Sequence, residues 1–187
     1  MLIDWNSKVL QSKIVYYGPA MSGKTTSIRT LFKCLGQERK IESIETSTGR
    51  TLFFDFGTLE IDWTDWIIRI YIWSATGQDY YAETRSTVLA GTDGIVFVAD
   101  SQPHLFEDNL RSWKELELFF GDRLGNELPV VIALNKWDKP NPISHRRLAS
   151  TLHLNNGVHF VQTIATNGYN IKEVFSLIIH AIFQQIR

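Results

Sequence analysis

The stretch Ile14–Thr25, IVYYGPAMSGKT, constrains this chain more than any other. An apolar run stops at Gly18-Pro19, a short loop follows, and Gly23-Lys24-Thr25 leads into helical periodicity. With Gly18, Gly23, Lys24 and Thr25 in place, every fixed position of the phosphate-binding loop G-x-x-x-x-G-K-[ST] is filled. A polyphosphate must be met by several backbone N–H groups at once, and a glycine-rich turn at a helix N-terminus supplies them. Lys24 adds a mobile positive charge that can follow the β- and γ-phosphates. The Thr25 hydroxyl can coordinate Mg²⁺.

The remainder of the chain reads as strands alternating with helices. Lys13–Tyr17 is a buried-strand candidate, and Ile28, Leu31, Phe32 and Leu35 recur at helical spacing up to Gly36. Cys34 is expected in the core of that helix. Residues 36–50 are polar and without period, a length uncommon for a loop that is not functional. A hairpin is expected from 51–63 and 66–73 about a turn at Thr64-Asp65, followed by a weak helix over 79–90. Then come a strand at Ile95–Ala99, a helix over 105–120, a strand at Val130–Leu134, a short helix opened by Pro142, and a strand at Val158–Ile164. The final helix carries Ile171, Val174, Phe175, Ile178, Ile179, Ile182, Phe183 and Ile186 as one stripe, with Asn170 and Glu173 as a potential capping box. This pattern predicts a single α/β domain spanning 1–187. Its sheet is expected to be mostly parallel and six-stranded, with one antiparallel edge strand and helices on both faces. In such sheets ligands sit outside the carboxyl ends of the strands, where 18–25, 74–78, 135–138 and 164–166 all fall.

Composition narrows the field by exclusion. The 187 residues suffice for one full core but not for two ordinary domains. A formal net charge of −1 gives no basic excess for general nucleic-acid binding. One cysteine permits neither an intramolecular disulfide nor a cysteine-based zinc site. The five histidines are scattered without metal-ligand spacing. No apolar run approaches the ~18–20 residues of a membrane span. The start, Met1-Leu2-Ile3-Asp4-Trp5, resembles no signal peptide, and neither end carries a lipidation motif, so a cytoplasmic protein without a direct membrane anchor is expected.

Asn135-Lys136-Trp137-Asp138 is the second informative motif. A carboxylate can accept two hydrogen bonds from adjacent donors, and guanine offers such a pair in its ring N–H and exocyclic amine. Adenine has no such edge, and a carboxylate facing it would stay unpaired. N-K-x-D alone is a weak pattern whose plain alternative is a charged turn after a strand. Two strands downstream of a phosphate loop, it points to guanine.

With Ile164-Ala165-Thr166 before Asn167-Gly168, these motifs resemble the Ras-like small GTPases. Within them the chain is most similar to the bacterial and archaeal gliding-protein (MglA-type) group. That resemblance covers nearly the whole length through KIVYYGP at 13–19, RTLFFDF at 50–56, TGQ before a tyrosine pair at 76–81, and GTDGIVFVADSQ at 91–102. It implies a nucleotide-dependent switch that binds GTP or GDP with Mg²⁺ and hydrolyses GTP. Gly18, Pro19, Ala20, Met21, Ser22, Gly23, Lys24, Thr25 and Thr26 would hold the phosphates. Thr51 would join Thr25 on the metal in the triphosphate state, and Gly77 would meet the γ-phosphate through its N–H. Gln78 would orient the attacking water, with Arg50 as an arginine finger in cis. Asn135, Lys136 and Asp138 would hold guanine, beside Ala165 and Thr166. The first switch falls at about 36–57 and the second at about 74–90. The implied partners are a Roadblock-type (MglB-type) activating protein and effectors of a polarity or motility pathway.

Plainer readings stand beside these. Arg50 can be a solvated charge in a polar loop, and Gln78 an exposed loop residue. Trp63, Trp66 and Trp73, with Phe53, Phe54 and Phe56, can serve packing as well as a partner surface. At the end of the second hairpin strand, where small GTPases usually place an aspartate that supports Mg²⁺ through water, this chain has Ser74. Ala75 and Thr76 also depart from the usual D-T-A-G-Q. A hydroxyl brings no charge, so weakened Mg²⁺ affinity and slow intrinsic hydrolysis are expected. The alternatives are a GTP-dependent scaffold with negligible turnover and a P-loop kinase; the latter gives no reason for NKWD.

Overall fold

A computed structural model of the chain describes residues 1–37, 41–45, 51–75, 82–152, 154 and 158–185, of which 41–45, 51–55 and 82–84 by their backbone. Strand β1 (Leu2–Asp4) precedes β2 (Val9–Tyr17), which runs through the phosphate loop into α1 (Lys24–Cys34). Strands β3 (Ile41–Glu45), β4 (Thr51–Trp63) and β5 (Trp66–Ala75) follow, then α2 (Ala82–Leu89). Strand and helix then alternate as β6 (Gly94–Asp100), α3 (Phe106–Phe120), β7 (Val130–Asn135), α4 (His145–Thr151), β8 (His159–Gln162) and α5 (Ile171–Gln184).

The strands form one sheet ordered β3-β4-β5-β2-β6-β7-β8, with β1 paired to β2. Contacts of β2 with β5 and β6, of β6 with β7, and of β7 with β8 are parallel. Those of β1 with β2, β3 with β4, and β4 with β5 are antiparallel. The expected α/β architecture holds, but among the described residues the sheet has eight strands rather than six. The additions are the short β1 and β3. A three-residue strand and a polar one at a sheet margin need only backbone hydrogen bonds, so neither leaves a hydrophobic period to read.

Both faces of the sheet are covered. On one, Ile14, Tyr16, Ile70 and Ile72 pack with Ile28, Leu31 and Phe32 of α1 and with Val174, Phe175 and Ile178 of α5. On the other, Val15, Tyr17, Phe97 and Ile132 meet Val88 and Leu89 of α2, Trp113 and Leu116 of α3, and Leu148 of α4. Each such burial contributes about 1.5–3 kcal/mol. The chain leaves β2 toward β4 and β5 on one side and reaches β6 on the other. The order therefore reverses at β2, and the crevice beyond its carboxyl end is where an open α/β sheet takes a ligand.

Several local expectations change. Strand β2 starts at Val9, four residues early, because Val9 and Leu10 pair with Ile67 and Ile68 of β5 behind the polar Gln11 and Ser12. Cys34 is exposed, as position 34 falls off the stripe of Ile28, Leu31 and Phe32. Helix α4 begins at His145 rather than at Pro142, capped by Ser144, whose Oγ accepts from the Arg147 N–H at 3.3 Å. Asn170 forms no capping box. Its backbone is left-handed (φ 56°), and its Nδ2 donates to the Gln162 carbonyl at 3.0 Å. The turn at Thr64-Asp65 is present, with Thr64 at φ 54°. Trp63 at its edge is exposed, while Trp66 packs edge-on against Trp5 at 5.3 Å. Among the described residues no helix is long and apolar enough to cross a membrane.

Candidate functional site

The loop between β2 and α1 has the geometry its glycines predict. Gly18 (φ +142°) and Gly23 (φ +102°) take backbone conformations that disfavour a side chain. The room is missing as well. A Cβ at Gly18 would lie 2.3 Å from the Val98 carbonyl oxygen, and one at Gly23 would lie 2.2 Å from Asn135 Nδ2. Between them Met21 is also left-handed (φ 60°) and points 73% of its surface to solvent. Ser22 is fully buried beneath the loop, and its hydroxyl lacks a partner among the described residues. Lys24, the first residue of α1, is buried, and its ammonium donates to the carbonyls of Gly18 at 2.9 Å and Pro19 at 2.7 Å. The first turn of α1 contains no acidic residue. A buried cation and the N-terminal end of a helix thus face the same loop, a combination that favours a phosphate chain.

The base-side motif follows from β7. Asn135 ends that strand opposite Asp100 of β6 and is 2% exposed. Its Nδ2 donates to the Ser22 carbonyl at 2.7 Å. Its Oδ1 accepts from the Ala165 N–H at 2.9 Å and from the Thr163 hydroxyl at 3.3 Å. One carboxamide therefore fastens the phosphate loop, the end of β7 and the turn after β8. Lys136 is left-handed (φ 62°), and its ammonium pairs at 2.5 Å with the fully buried Asp100. Asp100 also accepts from the Gln102 N–H at 3.0 Å, and its own backbone is held by Asn109 through bonds of 2.9 and 2.8 Å. Asp138 is exposed, and among the described residues its ion-pair partner is Lys139, 3.9 Å away. Its oxygens are open to a pair of donors. Ala165 is buried, with its carbonyl accepting from the Thr30 hydroxyl of α1 at 2.7 Å, and Thr166 is exposed.

A divalent cation has one clear candidate in this frame, Thr25 at the start of α1. Among the described residues no three His, Cys, Asp or Glu side chains converge on a metal position. An ion here would rest on Thr25 and on the ligand's own phosphate oxygens, which is how Mg²⁺ prefers to be held. Ser74 lies buried at the end of β5 in register with Tyr16 of β2. It brings a hydroxyl and no charge to the neighbourhood. The residues fit a phosphate-borne Mg²⁺.

Gly18 to Thr26, Asn135, Lys136, Asp138, Ala165 and Thr166 all fall at the carboxyl end of the sheet, as expected. Thr51 opens β4, and its side chain lies outside the described residues, as do Arg50, Gly77 and Gln78. The structure adds residues that motif reading missed. Thr163 completes the fastening of Asn135 to Ser22 and Ala165, and Ser101, whose hydroxyl donates to the Lys136 carbonyl at 3.0 Å, holds the base motif from the end of β6. Asp100-Ser101 was legible only as polar residues closing a buried strand, the usual place for site residues in this architecture.

Comparison with known proteins agrees with this geometry. The sequence profile of the Ras family matches residues 13–184. The chain is 32% identical to the mutual gliding-motility protein MglA of Myxococcus xanthus (strain DK1622), over 99% of this chain and 97% of that protein. It is 26% identical to the Ras-related protein Rab7 of Drosophila melanogaster, over 89% of this chain and 77% of that one.

Proposed function

The chain belongs to the Ras family of small GTPases, and we propose that it is a slow guanine-nucleotide switch of the MglA kind. It binds GTP and hydrolyses it to GDP and phosphate. In the proposed mode the phosphates lie along Gly18 to Thr26, with Lys24 moving from the loop carbonyls onto the β- and γ-phosphates. Asp138 accepts both donors of the guanine edge, and Lys136 flanks the base. The observation that carries the reading is the Asn135 carboxamide, which joins the phosphate loop at Ser22 to the base-side turn at Ala165. A ligand that engages one end is then presented to the other in fixed register.

Thr25 and Thr51 would hold Mg²⁺, which would supply charge neutralisation to the phosphates. Gln78 orients water for in-line attack, and Gly77 senses the γ-phosphate through its N–H. Arg50 adds positive charge to the transition state, a contribution that reaches about 10³–10⁵ in rate when an arginine is positioned for it. Hydrolysis is slow until a Roadblock-type regulator brings Arg50 and Gln78 together. The output is a state of residues 36–57 and 74–90 read by effectors of cell polarity or motility in the cytoplasm.

Single-turnover hydrolysis of bound GTP, with and without such a regulator, tests this. Gln78→Leu and Arg50→Ala should each bind GTP yet lose the stimulated rate. Stimulated turnover at the wild-type rate in both variants would overturn the catalytic assignments, whereas negligible turnover of the wild type with and without the regulator would leave a GTP-dependent scaffold. Ser74 is the feature that favours this second reading, since an uncharged residue there gives the metal less support.

A further inference from the structure

Helix α2 follows directly on the segment containing Gln78, yet its sequence AETRSTVL offers little apolar surface. Val88 and Leu89 bury its last turn. Arg85, a charge, is buried one turn earlier, with its side chain 8% exposed. Its guanidinium donates to Glu115 Oε2 of α3 at 2.5 Å. The same oxygen accepts from the Tyr17 hydroxyl at 2.6 Å. Tyr17 is the last residue of β2, buried, and immediately precedes Gly18. A single carboxylate oxygen thus joins the second-switch helix to the strand that feeds the phosphate loop.

From this geometry we propose that Glu115 is a positioning residue for GTP hydrolysis, holding α2 in register with the phosphate loop through Arg85 and Tyr17. The proposal rests on the switch reading above. Three independent elements meet at this point, and none of the three side chains belongs to the nucleotide-binding motifs. Burial raises the Tyr17 hydroxyl well above the usual phenol range, and the hydrogen bond to Glu115 adds to it, so Tyr17 stays a donor throughout the physiological range. Burial opposes the charge on Arg85, but Tyr17 and Glu115 outweigh it, and its pKa is raised. The link is therefore permanently charged on the arginine side and permanently donating on the tyrosine side. Without the carboxylate, Arg85 loses a short charge-assisted bond inside the helix–sheet interface and α2 loses the oxygen it shares with Tyr17, so the helix is free to shift.

A displacement of about 1 Å at a positioned group can cost on the order of 10²-fold in rate. Removing the carboxylate should therefore lower turnover while leaving the nucleotide contacts intact. The test uses the full chain loaded with GTP and Mg²⁺ in the presence of a Roadblock-type regulator, as wild type, Gln78→Ala, Glu115→Ala, Glu115→Gln, Tyr17→Phe, and the Glu115→Ala/Gln78→Ala pair. Glu115→Ala should slow single-turnover hydrolysis about 10- to 100-fold, with the GTP dissociation constant changed less than about twofold. Amide exchange across 82–89 should quicken roughly tenfold. Glu115→Gln keeps a carbonyl acceptor for both donors and should recover much of the rate. In the Gln78→Ala background Glu115→Ala should slow hydrolysis no further. Wild-type rate and exchange in Glu115→Ala, beside an impaired Gln78→Ala, would overturn the proposal. So would a parallel loss of GTP affinity. An unimpaired Gln78→Ala would instead overturn the hydrolysis reading itself. Should Glu115→Ala fail to fold, Tyr17→Phe, which loses one hydroxyl, decides: it should slow hydrolysis in the same direction by a smaller factor, and an unchanged rate counts against the tie.

Discussion

Asn135 Nδ2 donates to the backbone carbonyl of Ser22 at 2.7 Å, across 113 residues of sequence, in a site closed to solvent. The bond makes the phosphate loop and the base-side turn one mechanical unit. Gly23 is confined by the same amide group, and Ala165 is held by its oxygen. The residue expected to touch the base is thus also the residue that holds the two halves of the site together.

Removing that side chain should act on both halves. Asn135→Ala leaves the Ser22 carbonyl and the Ala165 N–H without their partner, a loss of about 2–4 kcal/mol in stability. Thermal melting of the nucleotide-free and GDP-bound protein, together with GDP release rates, should show lower stability in both states and faster release. Unchanged GDP release would place Asn135 outside the site's framework.

The loop glycines are limited by space as well as by conformation. Gly18→Ala puts a methyl group 2.3 Å from the Val98 carbonyl, a backbone atom that cannot swing aside. A shift of the loop is required, at a cost of about 1–3 kcal/mol with the left-handed strain added. Titration with a fluorescent GDP analogue should show weakened binding. Gly94→Ala is a useful contrast, because its methyl group would meet the flexible ends of Ile182 and Ile178 of α5, remote from the loop. It should lower the melting temperature and leave GDP affinity unchanged.

Ser74 makes a prediction about the metal. Without a charged group at the end of β5, retention of GDP should depend on higher Mg²⁺ concentrations than in Ras-like proteins that carry aspartate there. Ser74→Asp should lower the Mg²⁺ concentration that halves the GDP release rate. An identical Mg²⁺ titration for the two proteins would show that Ser74 does not bear on the metal.

Much of this was legible in the sequence because the site lies where strands end. The loop at 18–25, the motif at 135–138 and the turn at 164–166 are local patterns, and each sits after an apolar run long enough to be read as a strand. What was hidden is non-local. The role of Asn135 as a fastener depends on Ser22, Thr163 and Ala165, which no spacing rule associates. Strand β1 shows itself only when paired to β2. The Asn170-Glu173 spacing suggested a capping box, but the side chain of Asn170 is taken by Gln162 of β8, so a tertiary bond displaced a local one. Glu115 and Arg85 look in the sequence like two more surface charges, and only packing brings both onto Tyr17.

The central claim is that Asp138 reads guanine, and competitive binding of GTP, ATP and xanthosine triphosphate to the wild type and to Asp138→Asn tests it most directly. Xanthine carries a carbonyl where guanine has its amine, so an asparagine that can donate suits it better than a carboxylate does. The wild type should prefer GTP over ATP by at least about 10³-fold, and Asp138→Asn should shift the preference from GTP to xanthosine triphosphate. Equal affinity for GTP and ATP in both proteins would contradict the account.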